Sequence, residues 1–241
     1  MPRVSTLSRL YTNQTLGVNK IVQLTGSEFH YLKSVMRLNV NDKFRLFNEQ
    51  DGEFDAEISS FDSKNILHAT TLSKLRNVER RKSRLALAIS IIKKDKLLIA
   101  INGAIQLGIS DIIPIKTDYC QNTILNYERI QKVIYQATEQ SERIIPPTLW
   151  KTHDLSLLIS RNDFQKIIFA DENTDEKQTL SQHKLELGNT AILIGPEGGF
   201  SSKERMFLKK CQKILPISLG KYVLRSEFAA IAAISTINMF I

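Results

Sequence analysis

The stretch LIGPEGGFSSKE, residues 193–204, decides the reading of this chain. It closes an unbroken apolar run, TAILI (190–194), and passes through three glycines, a proline and a glutamate before polar residues resume. An apolar run of that length suits a strand buried on both faces. Ser201 followed three residues later by Glu204 is a capping box, so a helix is expected from residue 202. A buried strand feeding a helix is the repeating unit of an α/β sheet, and ligands of such sheets bind outside the carboxyl ends of the strands. Gly195 to Phe200 therefore make a candidate ligand corner, set against the plainer reading of a tight turn with no ligand. The phosphate-loop pattern GxxxxGK[ST] and the dinucleotide pattern GxGxxG are both missing from GPEGG. Glu197 would also repel a phosphate from the helix N-terminus, so the expected ligand is uncharged or partly cationic.

A second corner follows in SLGKYVLRSEFAAIAAI (218–234). A strand ends at Leu219-Gly220, the loop carries Arg225, and Ser226 is the expected cap of a helix rich enough in Ala and Ile to be buried, with Arg225 and Glu227 flanking the cap. Two glycine corners about 25 residues apart, at the ends of successive strands, can form one pocket. Further back, LALAISII (85–92) reads as a buried strand and KKDKLLIAINGAIQLG (93–108) as a helix ended by Gly108. ISDIIPI (109–115), KIIFA (166–170) and ILPISL (214–219) read as strands, and helices are expected near 126–141 and 154–161 and from about 227 onward. The alternation predicts an α/β fold with a mostly parallel sheet covered on both sides.

Residues 20–72 differ. Thr25 and Glu28 suggest a capping box before a short helix, and period-two apolar residues (Phe44 and Leu46, then Phe54, Ala56 and Ile58) flank Asp51-Gly52, a dipeptide suited to a hairpin. With NILHATTL as a third strand, this predicts a small β-rich barrel over 1–73, a basic linker over 74–84 and the α/β domain over 85–241. The linker contains RNVERRKSR (76–84), five basic residues against Glu79.

With 33 Lys and Arg against 25 Asp and Glu, the chain carries a formal charge of +8, which favours an acidic partner such as nucleic acid. A generally basic cytosolic protein has the same balance. No signal-peptide-length apolar stretch opens the chain and no 18 apolar residues run together, so a cytoplasmic protein away from the membrane is expected. Cys120 and Cys211 stand alone and the four histidines are scattered, which indicates neither a metal site nor a disulfide.

Several motifs together resemble the RsmE-type methyltransferases of the SPOUT superfamily. They are Pro2-Arg3, HYLKSVMR (30–37), DAEI (55–58), KKDKLLIAINGAIQLGISDIIP (93–114), ATEQSER (137–143), ILIGPEGGFS (192–201) and LGKYVLRSE (219–227). The resemblance implies a PUA-like N-terminal barrel that engages RNA and a SPOUT domain with a C-terminal trefoil knot. It further implies a homodimer that binds S-adenosylmethionine and methylates ring nitrogen 3 of a uridine in small-subunit ribosomal RNA. Leu193, Gly195, Glu197, Gly198, Leu219, Gly220, Val223, Leu224 and Ser226 would then hold the cofactor. Arg225 would stabilise the charge that develops on the uridine, with an N-terminal arginine of the partner subunit, Arg3 or Arg9, and with Glu227 or Glu139 orienting the base or relaying its proton. Arg3, Arg9, Arg37, Lys43, Arg45, Arg80 and Arg81 would meet RNA. The chain departs from the family pattern at Gly103, Gln106, Ser226 and Phe228, where lysine, glutamate, threonine and threonine are usual. A catalytically inactive RNA-binding protein of the same fold is the alternative.

Overall fold

A computed structural model describes residues 7–79, 82–121, 124–176, 178–180 and 188–239. The chain divides into two compact units: residues 1–80 with 138–146, and residues 81–137 with 147–241.

The first unit is built on a five-stranded sheet ordered β1-β3-β4-β5-β2. Its strands are β1 (Arg9–Tyr11), β2 (Ile21–Leu24), β3 (Lys43–Asn48), β4 (Gly52–Phe61) and β5 (Leu67–Arg76). Only β1 and β3 run parallel; the other pairs are antiparallel. The period-two pattern sets the register, with Phe44 opposite Ala56 and Leu46 opposite Phe54. Those four join Leu10, Ile58 and Leu67 in a core on one face of the sheet. At the hairpin the Asn48 side-chain oxygen accepts from the Gln50 and Asp51 N–H groups, and only Gly52 of the Asp51-Gly52 pair takes a positive φ.

The expected capping box at Thr25 is not formed. Thr25 does occupy the N-cap position of α1 (Gly26–His30), but its hydroxyl makes no cap hydrogen bond. Thr25 is extended, as an N-cap should be, and Gly26 begins the helix at φ 55°. The helix then runs straight into a π-helical turn over Tyr31–Val35.

The opposite face of the sheet carries Arg9, Phe47 and Glu53, all buried. Residues 138–146 account for much of that burial. Arg9 donates to the carbonyls of Glu139 (2.8 Å) and Arg143 (3.0 Å), and its Nε lies 2.5 Å from Glu53 Oε1. The Tyr11 N–H donates to the Glu139 carboxylate at 3.0 Å. Arg76 bonds the second Glu53 oxygen and donates to the Glu142 carbonyl at 3.0 Å. Glu53 is thus a fully buried carboxylate between two guanidiniums, and the guanidiniums in turn donate to main-chain carbonyls of residues 138–146.

The second unit is a wholly parallel sheet ordered β12-β10-β11-β6-β7-β8, with the short β9 also pairing β7. The principal strands are β6 (Leu85–Ser90), β7 (Asp111–Lys116), β10 (Lys166–Ala170), β11 (Thr190–Ile194) and β12 (Ile214–Ile217); β8 is Thr148–Leu149 and β9 is His153–Asp154. Alternation along buried strands separates two cores. Leu85, Leu87, Ile89, Ile192 and Ile194 face α2 (Lys94–Gln106), α3 (Tyr127–Gln140) and α6 (Ser226–Asn238). Ala86, Ala88, Ala191 and Leu193 face α4 (Leu155–Ser160) and α5 (Ser202–Lys209). The sheet is therefore covered on both sides, as parallel sheets are.

Registers align the carboxyl ends. Ile194 pairs with Ala170 and with Ile89, and Ala170 pairs with Ile217. The strands that end in the two glycine corners, β11 and β12, follow one another in the chain but are not neighbours in the sheet, because β10 lies between them. Their ends are consequently two strand spacings apart, about 10 Å. The chain spans that gap with α6, which leaves the edge strand and returns to pack on β11 and α2.

Candidate active site

The first corner opens where β11 ends. A Cβ built on Gly195 would stand 2.6 Å from Phe200 Cε2, so the backbone can pass only as glycine while the Phe200 ring folds back beneath it. That ring is buried and meets Phe169 edge-to-face at 5.0 Å. Gly199 has φ 66°, and a side chain there would collide with the Glu172 carboxylate. The Gly199 N–H donates to the Pro196 carbonyl at 2.9 Å, closing the turn.

Beyond it, the expected capping box forms in full. Ser201 Oγ accepts from the Glu204 N–H, and Glu204 Oε2 accepts from the Ser201 N–H at 2.8 Å. The other Glu204 oxygen accepts from the Asp118 N–H at 2.9 Å, and Ser201 donates to the Asp118 carboxylate. The Glu204 and Asp118 carboxylates thus lie at the start of α5, where the box takes the Ser201 and Glu204 N–H groups and the negative charge disfavours a phosphate. Glu197 is exposed and forms no ion pair among the described residues.

The second corner begins at Ser218, whose Oγ accepts from the Gly220 N–H at 3.2 Å. Gly220 has φ 118° with open space where a Cβ would stand. Leu219 packs against the core on the α6 side. Lys221 to Leu224 are exposed, Val223 to 82%. Ser226 is not the cap that its position in the sequence suggests. The N-cap is Arg225, without a side-chain bond, and Ser226 is the first helical residue. Its hydroxyl instead donates to the Gly195 carbonyl at 2.7 Å. One hydrogen bond therefore ties the two corners together across the end of β10.

Arg225 is exposed and makes no ion pair among the described residues. Glu227 is only 1% exposed, and its carboxylate lies 3.2 Å from Lys96 Nζ on α2. Burial raises its pKa, but its own main-chain N–H, Lys96 and Arg225 outweigh that and hold the carboxyl below its ordinary value. Glu227 is accordingly ionised and paired with Lys96, not with its neighbour Arg225.

Arg9 and Glu139 belong to the first unit, where both are engaged as described; burial raises the Glu139 carboxyl against the opposing effects of the Tyr11 N–H and Arg9. Arg9 is buried, and its N–H groups serve the Glu53 carboxylate and main-chain carbonyls. Arg37 and Lys43 are exposed, and Arg45 is half-buried with its Nε 3.8 Å from Asp55. Arg3, Arg80 and Arg81 lie outside the described residues.

The sequence alone did not single out Asp118 or Lys96, and it marked Phe200 only as the end of the first corner. Asp118 follows β7 at the same carboxyl edge of the sheet, and the strand-end rule applied to every strand would have flagged its loop. The departures at Gly103 and Gln106 are features of helix packing and helix surface. A Cβ on Gly103 would stand 2.8 Å from Ile231 Cδ1 on α6, while Gln106 donates to Asn102 at 2.5 Å on the exposed side of α2. Phe228 is half exposed. No helix among the described residues is long and apolar enough to cross a membrane, and none of their His, Cys, Asp and Glu side chains gather as a metal site requires.

The fold and the two corners define a known class. A family model for an RNA methyltransferase domain matches residues 79–238, and one for an RNA methyltransferase PUA domain matches residues 24–71. A methyltransferase of Legionella pneumophila, solved in complex with the bound cofactor SAM, superposes with a TM-score of 0.87 over 98% of each chain at 26% identity. Ribosomal RNA small subunit methyltransferase E of Neisseria gonorrhoeae shares the fold with a TM-score of 0.84 over 97% of each chain at 22% identity. The enzyme of that name from Rickettsia conorii is 40% identical over 235 residues, covering 96% of this chain and 95% of its own. A further relative of that name, from Buchnera aphidicola, is 28% identical over 97% of this chain. The chain belongs to the ribosomal RNA small subunit methyltransferase E family.

Proposed function

We propose that the protein transfers a methyl group from S-adenosylmethionine to ring nitrogen 3 of a uridine in small-subunit ribosomal RNA. The observation that carries the reading is the Ser226 to Gly195 hydrogen bond, which joins two glycine corners at one edge of a parallel sheet. The residues present fit the cofactor. The start of α5 is filled by carboxylates and rejects an anion, Glu197 offers an exposed negative charge, and main chain stands open at Gly220. Gly195, Glu197, Gly198, Leu219, Gly220 and Ser226 would hold it, with Leu193 forming the floor beneath. The cofactor supplies a methyl group already activated on a sulfonium, so the protein's work is positioning and charge.

Nitrogen 3 of uridine becomes nucleophilic as its proton passes to water, and negative charge then spreads onto the flanking carbonyl oxygens until the nitrogen takes the methyl group. Arg225, exposed beside the corner, is suited to stabilise that charge. Glu227, held ionised by Lys96, fixes the start of α6 and so the place of Arg225; a carboxyl below its usual range is a poor proton acceptor. The chain's return from edge strand β12 over β10 to β11 supports a knotted path. Exposed Tyr222, Val223, Phe228 and Met239, on α6 and at its two ends, support a homodimer that would cover them. Exposed Arg37 and Lys43 supply phosphate contacts.

The test is to incubate small ribosomal subunits lacking the mark with methyl-labelled S-adenosylmethionine and to map the label by mass. One uridine methylated at nitrogen 3 is expected. Arg225→Ala should slow single-turnover transfer roughly 100-fold with cofactor affinity intact. Cofactor binding without any labelled RNA would favour the inactive RNA-binding alternative.

A further inference from the structure

Beside the first corner lies a side chain that neither the corner motifs nor the proposed chemistry accounts for. Tyr119 sits in the loop after β7 with its Cβ only 3.3 Å, and its ring Cδ2 3.6 Å, from the position that a Cβ on Gly198 would take. Gly198 therefore gives way to an aromatic ring, and yet that ring remains 56% exposed. An exposed aromatic is unremarkable on a mobile loop, but this loop is fastened on both sides of Tyr119. The Asp118 N–H donates to Glu204 at 2.9 Å, the Asp118 carboxylate accepts from Ser201, and Thr117 Oγ1 donates to Ser90 Oγ at 3.2 Å. The Cys120 N–H donates to the Thr117 carbonyl at 3.2 Å and the Gln121 N–H to the Ile91 carbonyl at 2.8 Å. Among the described residues, no ring contact or hydrogen bond involves the Tyr119 side chain. The loop thus holds an aromatic ring at the rim of the corner with much of its surface open to solvent.

We propose that Tyr119 is an RNA-binding residue whose ring stacks on a base of the substrate, the target uracil or its neighbour, as that base enters the corner. The inference rests on the function proposed above. Single-stranded RNA is commonly held by bases splayed onto aromatic side chains, an interaction that needs a π face on a fixed support and little else. A methyl acceptor must also be taken out of its stack before its ring nitrogen can meet the donor, and a ring at the rim replaces part of the stacking lost.

The test compares Tyr119→Phe, Tyr119→Leu and Tyr119→Ala in the full-length protein. Methylation is measured against the concentration of unmodified small subunits, and S-adenosylmethionine affinity is measured by calorimetry. Tyr119→Phe should stay within about twofold of wild type, while Tyr119→Ala and Tyr119→Leu should need roughly tenfold or more subunit for half-maximal rate, the scale of one base–aromatic stack. Cofactor affinity and oligomeric state should not change. The proposal is overturned if Tyr119→Ala matches wild type, if Leu substitutes as well as Phe, or if Tyr119→Ala loses cofactor affinity or changes the oligomeric state. In each of those cases the wild-type methylation stands, and with it the proposed function. A wild-type protein that binds the cofactor and leaves RNA unmarked would overturn both.

Discussion

Replacing Ser226 by alanine removes the hydrogen bond that joins the corners while adding no bulk. Ser226 is buried and its hydroxyl lies 2.7 Å from the Gly195 carbonyl, so the variant leaves a half-buried acceptor without its donor. A loss of that kind costs about 1–2 kcal/mol. For a chain of 241 residues it should lower Tm by roughly 2–8 °C. If the bonded corner is also the binding geometry, a comparable cost appears in cofactor affinity, a factor of about 5–30. Calorimetric titration with S-adenosylmethionine and a thermal melt on the same samples separate the two effects. Ser226→Thr, which keeps the hydroxyl, should bind within about twofold of wild type, since its donor is unchanged. A Ser226→Ala protein that melts earlier but binds the cofactor like wild type would show that the bond serves stability alone, and the coupling of the corners to the pocket would be refuted.

Other consequences are as definite. Gly195→Ala places a Cβ within 2.6 Å of Phe200, forces the ring off Phe169, and should cost about 1–3 kcal/mol in a urea titration together with most cofactor binding. Glu53→Gln leaves Arg9 buried without its counter-charge and should destabilise the first unit by about 3–5 kcal/mol, seen as a lower urea midpoint. Burial alone raises the Glu53 carboxyl, and Arg76 and Arg9 more than reverse it, so its folded value lies below the ordinary one. Its stabilisation is therefore complete above pH of about 4.3 and is lost as pH falls through the folded value; Glu53→Gln should flatten the acid limb of the stability curve. Affinity for RNA should fall steeply between about 50 and 200 mM salt, because Lys and Arg meeting phosphate release counterions; a flat response contradicts phosphate contact.

Much of this architecture is written locally. TAILI and KIIFA are the observed strands β11 and β10 residue for residue, because a run of Ile, Leu and Ala flanked by polar residues can only be buried on both faces. The Ser201 to Glu204 box likewise depends on residues three apart. Features that depend on distant partners were not legible. Ser226 stands at the start of its helix as Ser201 does, yet its hydroxyl serves a carbonyl 31 residues away. The place of β10 between β11 and β12 is a matter of sheet order, which periodicity does not encode. Residues 138–146 belong with the first unit through exposed Arg76 and through Arg9 and Glu53, charged residues whose type points to the surface and whose burial depends on meeting one another. Tyr119 was invisible for the same reason, since its significance lies wholly in its contact with Gly198.

Amide hydrogen exchange with and without S-adenosylmethionine tests most directly whether the two corners grip one ligand. Residues 195–200 and 219–225 should slow together on adding the cofactor, and Ser226→Ala should weaken both effects in parallel. Protection at one corner only, or at neither while the cofactor demonstrably binds, would place the donor elsewhere and contradict the site described.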